Sequence, residues 1–173
     1  FCAAIQALKT GGIILADEVG LGKTIEAGLV LNYVLDNGAK KVLISLPATL
    51  RKQWEVELLE KFGRQAVILD RYTVEHDLSN VQTHLGNADE VSIVIASYDY
   101  SSKLIKRFPH VKWDFLIIDE AHNLRNVFHG TKRAKNLYDL THGIPKILLT
   151  ATPLQNSLTD LHGLVSFIDP RIF

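Results

Sequence analysis

The sequence predicts an α/β domain of three layers, with a mainly parallel sheet between two sets of helices. Six short runs rich in Ile, Val and Leu recur along the chain: IILA (13–16), KVLISL (41–46), AVILD (66–70), VSIVIAS (91–97), FLIID (115–119) and KILLTA (146–151). None shows strict polar alternation, as expected of strands covered on both faces. Longer segments with helical spacing of apolar residues separate them, and that alternation belongs to parallel sheets with crossover helices.

The elements follow in order. IILA leads through a glycine-containing turn into a helix over Lys23–Leu35, with Asn37-Gly38 as its stop. After KVLISL comes the clearest helix, Leu50–Phe62. Leu50, Trp54, Leu58 and Phe62 lie four apart on one face, Arg51, Lys52, Glu55 and Glu60 lie elsewhere, and Gly63 ends it. Trp54 reads as core. Helices are expected over Val74–Leu85, Ser102–Phe108, Thr131–Leu140 and Ser157–Ile168. No repeat, low-complexity tract or linker interrupts the chain, so residues 1–173 read as one domain.

A chain of 173 residues can bury roughly two thirds of its unfolded surface, enough for a sizeable core. No apolar run approaches the roughly 20 residues of a membrane helix. Lys plus Arg and Asp plus Glu are equal at 19 each, so any nucleic-acid role must rest on a local patch. The single cysteine, Cys2, excludes an internal disulfide framework, and the seven histidines lack zinc-ligand spacing. A reducing compartment is expected: cytoplasmic, or nuclear in a eukaryotic source. The opening FCAAIQALKTGG lacks the marks of a signal peptide and reads as a helix entered partway, and no methionine occurs anywhere; a piece of a longer protein is expected.

DEVGLGKT, residues 17–24, stands between a strand and an apolar helix, the setting of a phosphate-binding loop. Asp17 replaces the first glycine of the pattern G-x-x-x-x-G-K-[ST], upstream of the groups that wrap phosphate. Gly20 and Gly22 would let backbone N–H groups turn toward phosphate oxygens at the positive end of the helix dipole. Lys23 would reach the β- and γ-phosphates, and the Thr24 hydroxyl would hold Mg2+. Leu21 and Ile25 complete the candidate nucleotide-binding set. A mere tight turn before a capped helix is disfavoured by the flanking elements. FLIIDEAH, residues 115–122, would supply the second half of the site, with Asp119 on water-coordinated Mg2+ and Glu120 as base for the attacking water. Alone, such a pair reads as a solvated acidic turn; below a phosphate loop it reads as catalytic.

DEVGLGKTIEAG, LPATLRKQW, IASYD, DEAHNLRN and LLTATPLQN together resemble, in order and spacing, the first RecA-like motor lobe of superfamily-two helicases. The resemblance is to the Swi/Snf-like DNA-translocase and chromatin-remodeller branch, whose bacterial and archaeal members look nearest in wording. It covers nearly the whole chain, and in that branch Asp17 is a family marker.

The resemblance implies ATP and Mg2+ as cofactors, double-stranded DNA as partner, and Lys23, Asp119 and Glu120 as catalytic, with Thr24 and Asp119 on the metal. It implies that His122, Thr150 and Thr152 link the γ-phosphate region to the nucleic-acid surface; without it, the two threonines could simply end a strand. It implies strand-phosphate contacts at Thr49, Lys52 and Ser97. Gln155 and Asn156 either contact DNA or cap the following helix. The family's adenine-binding glutamine is expected before Phe1, since Gln6 lies too close to Gly22. No second-lobe Gly-Arg-x-x-Arg pattern occurs, so catalysis is expected to need a second RecA-like lobe of the same protein. A strand-separating helicase, a restriction-type motor and a non-hydrolysing nucleotide-binding module remain alternatives.

Overall fold

The structure, a computed structural model, describes residues 7, 9–16, 22–124, 132–152 and 158–169, the side chains of 84 and 158–160 excepted. Among them, six strands form one sheet: β1 (Gly12–Ala16), β2 (Lys41–Leu46), β3 (Val67–Ile68), β4 (Ser92–Ser97), β5 (Phe115–Ile118) and β6 (Lys146–Thr150). Their order is β1-β6-β5-β2-β4-β3, and every pairing is parallel. The helices are α1 (Lys23–Asp36), α2 (Arg51–Phe62), α3 (Arg71–His76), α4 (Leu78–Gly86), α5 (Tyr98–Arg107), α6 (Lys132–Thr141) and α7 (Leu158–Ile168). None of them is long and apolar enough to cross a membrane.

Alternate residues of the strands, the short β3 excepted, feed two cores. Val42, Ile44, Ile95, Ile117 and Leu149 pack with α1 and α2 through Leu31, Val34, Trp54 and Leu58. Leu43, Val94, Leu116, Ile118 and Leu148 pack with α3 to α7 through Val74, Leu85, Leu104, Leu137 and Phe167. Strands with both faces covered cannot show polar alternation, which is why the runs are apolar throughout.

Four expected elements are redrawn. The third strand shrinks to two residues because Asp70 turns away to cap α3, its side chain accepting from Thr73 N at 3.0 Å. The helix expected over Val74–Leu85 is two, broken where Asp77 leaves helical geometry (φ −137°, ψ 44°). α5 starts at Tyr98, four residues early, with Ser97 as N-cap. α2 starts at Arg51, after a 3-10 turn over Ala48–Leu50.

Gly28 sets how α1 meets α2. A Cβ there would lie 2.2 Å from Phe62 Cε2, so the ring packs on bare backbone. Gly28→Ala should destabilise by about 1–3 kcal/mol through overpacking, less about 1 kcal/mol returned by helix propensity. In a Phe62→Ala background the same change should be neutral or stabilising, read by denaturant titration.

At the opposite edge of the sheet from the candidate site, Lys146 is buried. Its Nζ donates to Thr141 O (2.8 Å) and Phe167 O (3.0 Å), carbonyls at the C-terminal ends of α6 and α7. Burial pushes its ammonium down from 10.5 to about 8. A depressed lysine binds fewer protons folded than unfolded between those values, so it penalises folding fully below pH 8 and progressively less above. The stability of wild type relative to Lys146→Met should therefore rise as pH goes from about 8 to 10.5 and stay level below that window, measured by denaturation across pH.

Candidate functional site

The strand order places the carboxyl ends of β1, β6, β5, β2 and β4 along one edge, and ligands of open α/β sheets bind beyond such ends. Gly22 precedes α1 in the left-handed region (φ 93°, ψ 27°), which glycine alone adopts without penalty. Its carbonyl accepts from Ile25 N (2.8 Å) and Glu26 N (3.0 Å), closing the first turn. The helix N-terminus so formed is suited to an anion. Gly20, Leu21 and Asp17 lie outside the described residues.

Gly22, Lys23, Thr24 and Ile25 share one cavity of about 460 Å³ with Asp119 and Glu120. The cavity's far wall is α2, through Gln53, Trp54, Glu57 and Lys61, with Leu50 of the 3-10 turn before it. Glu57 accepts from Gln53 Nε2 (2.8 Å) and Lys61 Nζ (3.0 Å). Burial pushes its carboxyl up, but those two donors and the lysine charge outweigh this and hold it below the usual value.

Asp119 is only 7% exposed. Its Oδ2 accepts from Trp54 Nε1 (2.8 Å) and its Oδ1 from Glu120 N (2.8 Å). Burial raises its pKa against the pull of both bonds. Glu120 has a left-handed backbone (φ 50°), uncommon for a residue with a Cβ. Its carbonyl accepts from Asn123 N (3.0 Å) and Asn123 Nδ2 (3.1 Å). The buried Tyr98 hydroxyl donates to Asp119 O and lies 3.0 Å from Glu120 O. Burial holds that phenol well above its ordinary range, so it stays a donor. His122 Nδ1 lies 3.1 Å from Glu120 Oε2, close enough to pair when protonated but without the alignment of a hydrogen bond.

The donor set fits Mg2+. Asp119 carboxylate and Thr24 hydroxyl are hard oxygen ligands in one cavity, and a carboxylate with two bonds already made keeps lone pairs for a cation. Thr150 is fully buried at the end of β6 and its Oγ1 accepts from Thr152 N (3.2 Å); Thr152 Oγ1 is buried with no partner among the described residues. The 3-10 turn Ala121–Leu124, carrying His122, packs on β6, the strand that ends in Thr150.

A second cavity of about 290 Å³ opens on the same edge, lined by Leu46, Pro47, Ala48, Thr49, Ser97, Tyr98, Asp99, Asn123 and Arg133. Thr49 and Ser97, 48 positions apart, meet there because Leu46 and Ser97 are register partners. Ser97 Oγ also caps α5, accepting from Tyr100 N at 3.4 Å. Arg133 Nε donates to Asp99 Oδ1 (2.8 Å). Lys52 does not line this cavity; its exposed ammonium pairs with Glu55 (2.8 Å). Asn156 and Gln155 lie outside the described residues.

Sequence reasoning missed Trp54 as a partner of Asp119, and Tyr98, Asn123 and Arg133 as parts of the edge. A buried indole needs an acceptor, which was the available signal for Trp54. For the others, only the fold brings the positions together.

Residues 3–173 match the family model described as SNF2-related domain. The chain is 42% identical over 170 residues to the uncharacterized ATP-dependent helicase YqhH of Bacillus subtilis (strain 168), covering 92% of this chain and 26% of that protein. Among solved structures it is similar to the Sulfolobus solfataricus SWI2/SNF2 ATPase core in complex with dsDNA, with a TM-score of 0.77 at 24% identity, over 98% of this chain and 34% of that one. At that identity the likeness is one of fold.

Trp54→Phe keeps the aromatic bulk but strands an Asp119 oxygen, and should destabilise by about 1–3 kcal/mol. Trp113 Nε1 is buried with no partner among the described residues, so Trp113→Phe strands no acceptor there and should cost less than Trp54→Phe. Paired thermal denaturation of the two variants checks the contrast.

Proposed function

Because this chain belongs to the SNF2-related domain family, we propose that it is the first RecA-like motor lobe of an ATP-driven translocase on double-stranded DNA. The observation that carries this reading is the gathering of Lys23, Thr24, Asp119 and Glu120 in one cavity, beside a second that joins Thr49 to Ser97. The chain spans about a quarter of the Bacillus relative and a third of the Sulfolobus one. In this reading a second RecA-like lobe of the same protein supplies the arginines that complete catalysis.

In this reading the amides of Gly20 to Thr24 and the Lys23 ammonium hold the phosphates of ATP, while Thr24 and Asp119 hold Mg2+. The metal, once bound, supplies Lewis-acid neutralisation of phosphate charge. Glu120 orients water in line with the γ-phosphate and takes its proton. The Trp54 and Glu120 N–H bonds fix Asp119 in one rotamer, so the carboxylate that would hold the metal keeps its place beside Glu120. His122, Thr150 and Thr152 relay loss of the γ-phosphate toward the strand cavity. A phosphate of the tracked strand rests among Thr49, Ser97 and the first amides of the following helices.

The helicase name of the Bacillus relative favours a second reading, strand separation. A displacement assay on the full-length protein distinguishes the two: a translocase stimulates its ATPase on intact duplex without releasing a strand.

In the full-length protein, DNA-stimulated ATP hydrolysis should fall to background in Lys23→Ala, while Glu120→Gln should retain ATP binding and lose turnover. The 173 residues alone should hydrolyse negligibly, since an arginine finger is worth on the order of 10³ to 10⁵ in rate elsewhere. Robust DNA-stimulated turnover by the isolated lobe would contradict the division of labour.

A further inference from the structure

Tyr98 touches both halves of the edge. Its side chain lines the cavity that joins Thr49 to Ser97, and its hydroxyl bonds the carbonyl of Asp119 and that of Glu120. Asn123 repeats the arrangement from the outer side, lining the same cavity and donating twice to Glu120 O. The peptide held in this way carries the left-handed φ of 50° at Glu120. A side-chain-bearing residue persists there only when its surroundings over-determine it. If Tyr98 were merely core, Phe would fill the space; the hydroxyl instead meets the two carbonyls and the Asn123 side chain.

Building on the functional reading above, we infer that Tyr98 is a positioning residue that couples occupancy of the Thr49–Ser97 cavity by a strand phosphate to the orientation of Glu120. Tyr98 is the first residue of α5 and follows directly on Ser97, so a phosphate seated on Ser97 moves the first turn of that helix and the hydroxyl with it. The ligand contacts the clamped and relaxed arrangements differently because Tyr98 and Asn123 form part of its own walls. A released clamp lets the Glu120 backbone leave the left-handed region, and its carboxylate swings away from the attacking water.

The test uses the full-length protein: wild type, Tyr98→Phe and Asn123→Ala, each assayed for ATPase with and without duplex DNA, for DNA affinity by anisotropy, and for thermal midpoint. Tyr98→Phe should lower the ratio of DNA-stimulated to DNA-free kcat by about tenfold, within the usual range of coupling between sites, with KM for ATP and Kd for DNA changed less than about twofold. Asn123→Ala, an exposed side chain, should move the ratio the same way and carries the test if Tyr98→Phe does not fold. An unchanged ratio in the folded variants, or a loss that merely tracks DNA affinity, overturns the coupling role while leaving the translocase reading intact. A wild type that DNA does not stimulate overturns the translocase reading, and the coupling with it.

Discussion

Asp119 is a carboxylate in a place from which most water is excluded, and a buried charge persists only where its lone pairs find donors. One donor, Trp54 Nε1, reaches it from α2 on one face of the sheet; the Tyr98 hydroxyl holds its backbone from α5 on the other. Trp54 belongs to the core of the first face and Tyr98 to the core of the second. Both cores therefore converge on the residue after β5, and displacement of either helix layer would unseat the same carboxylate. The packing of Gly28 against Phe62 belongs to this constraint too, since it sets how α2, with Trp54, sits on α1.

The two edges of the sheet divide the polar work. At the amino edge, polar groups close on one another: Lys41 Nζ donates to Ser92 Oγ (2.8 Å), Asp114 Oδ2 accepts from the amides of Lys40 (2.8 Å) and Lys41 (2.9 Å), and Lys146 caps two helices. At the carboxyl edge they face open cavities, and parallel strands put every catalytic candidate there at once. Asp119 N donates to Ser45 O (3.0 Å), and Ser101 Oγ to Ser45 Oγ (2.9 Å), so β2 ties the β5 end to α5 from beneath. The polar groups that join the two cavities are thus carried on elements tied to β2.

The strands and α1 were legible because each is a local pattern: apolar runs for strands, an apolar helix after Gly-Lys-Thr. Convergence of Lys23 and Asp119 also followed, since parallel strands share one carboxyl edge. What the sequence hid was tertiary. Trp54 was placed correctly in the core, yet its bond spans 65 positions and depends on where α2 crosses the sheet. Asn123 and Arg133 carry no spacing relation to Thr49, and only the β2–β4 register brings Thr49 and Ser97 into one cavity. The early start of α5 after Ser97 was a capping event, where a short polar side chain competes with the apolar period; the break at Asp77 is a departure of the backbone from helical geometry, with no side-chain cap bond.

Under the proposed function, the cavity between α1 and α2, with Trp54 on Asp119, is the Mg-nucleotide site. The chain has two tryptophans and only Trp54 lines that cavity, so their indole N–H resonances report on it separately, with Trp113→Phe assigning the pair. Titration of the 15N-labelled chain with Mg-ADP should shift the Trp54 resonance and leave that of Trp113 in place. A Trp54 resonance that stays still while the nucleotide binds would put the site elsewhere and contradict the account.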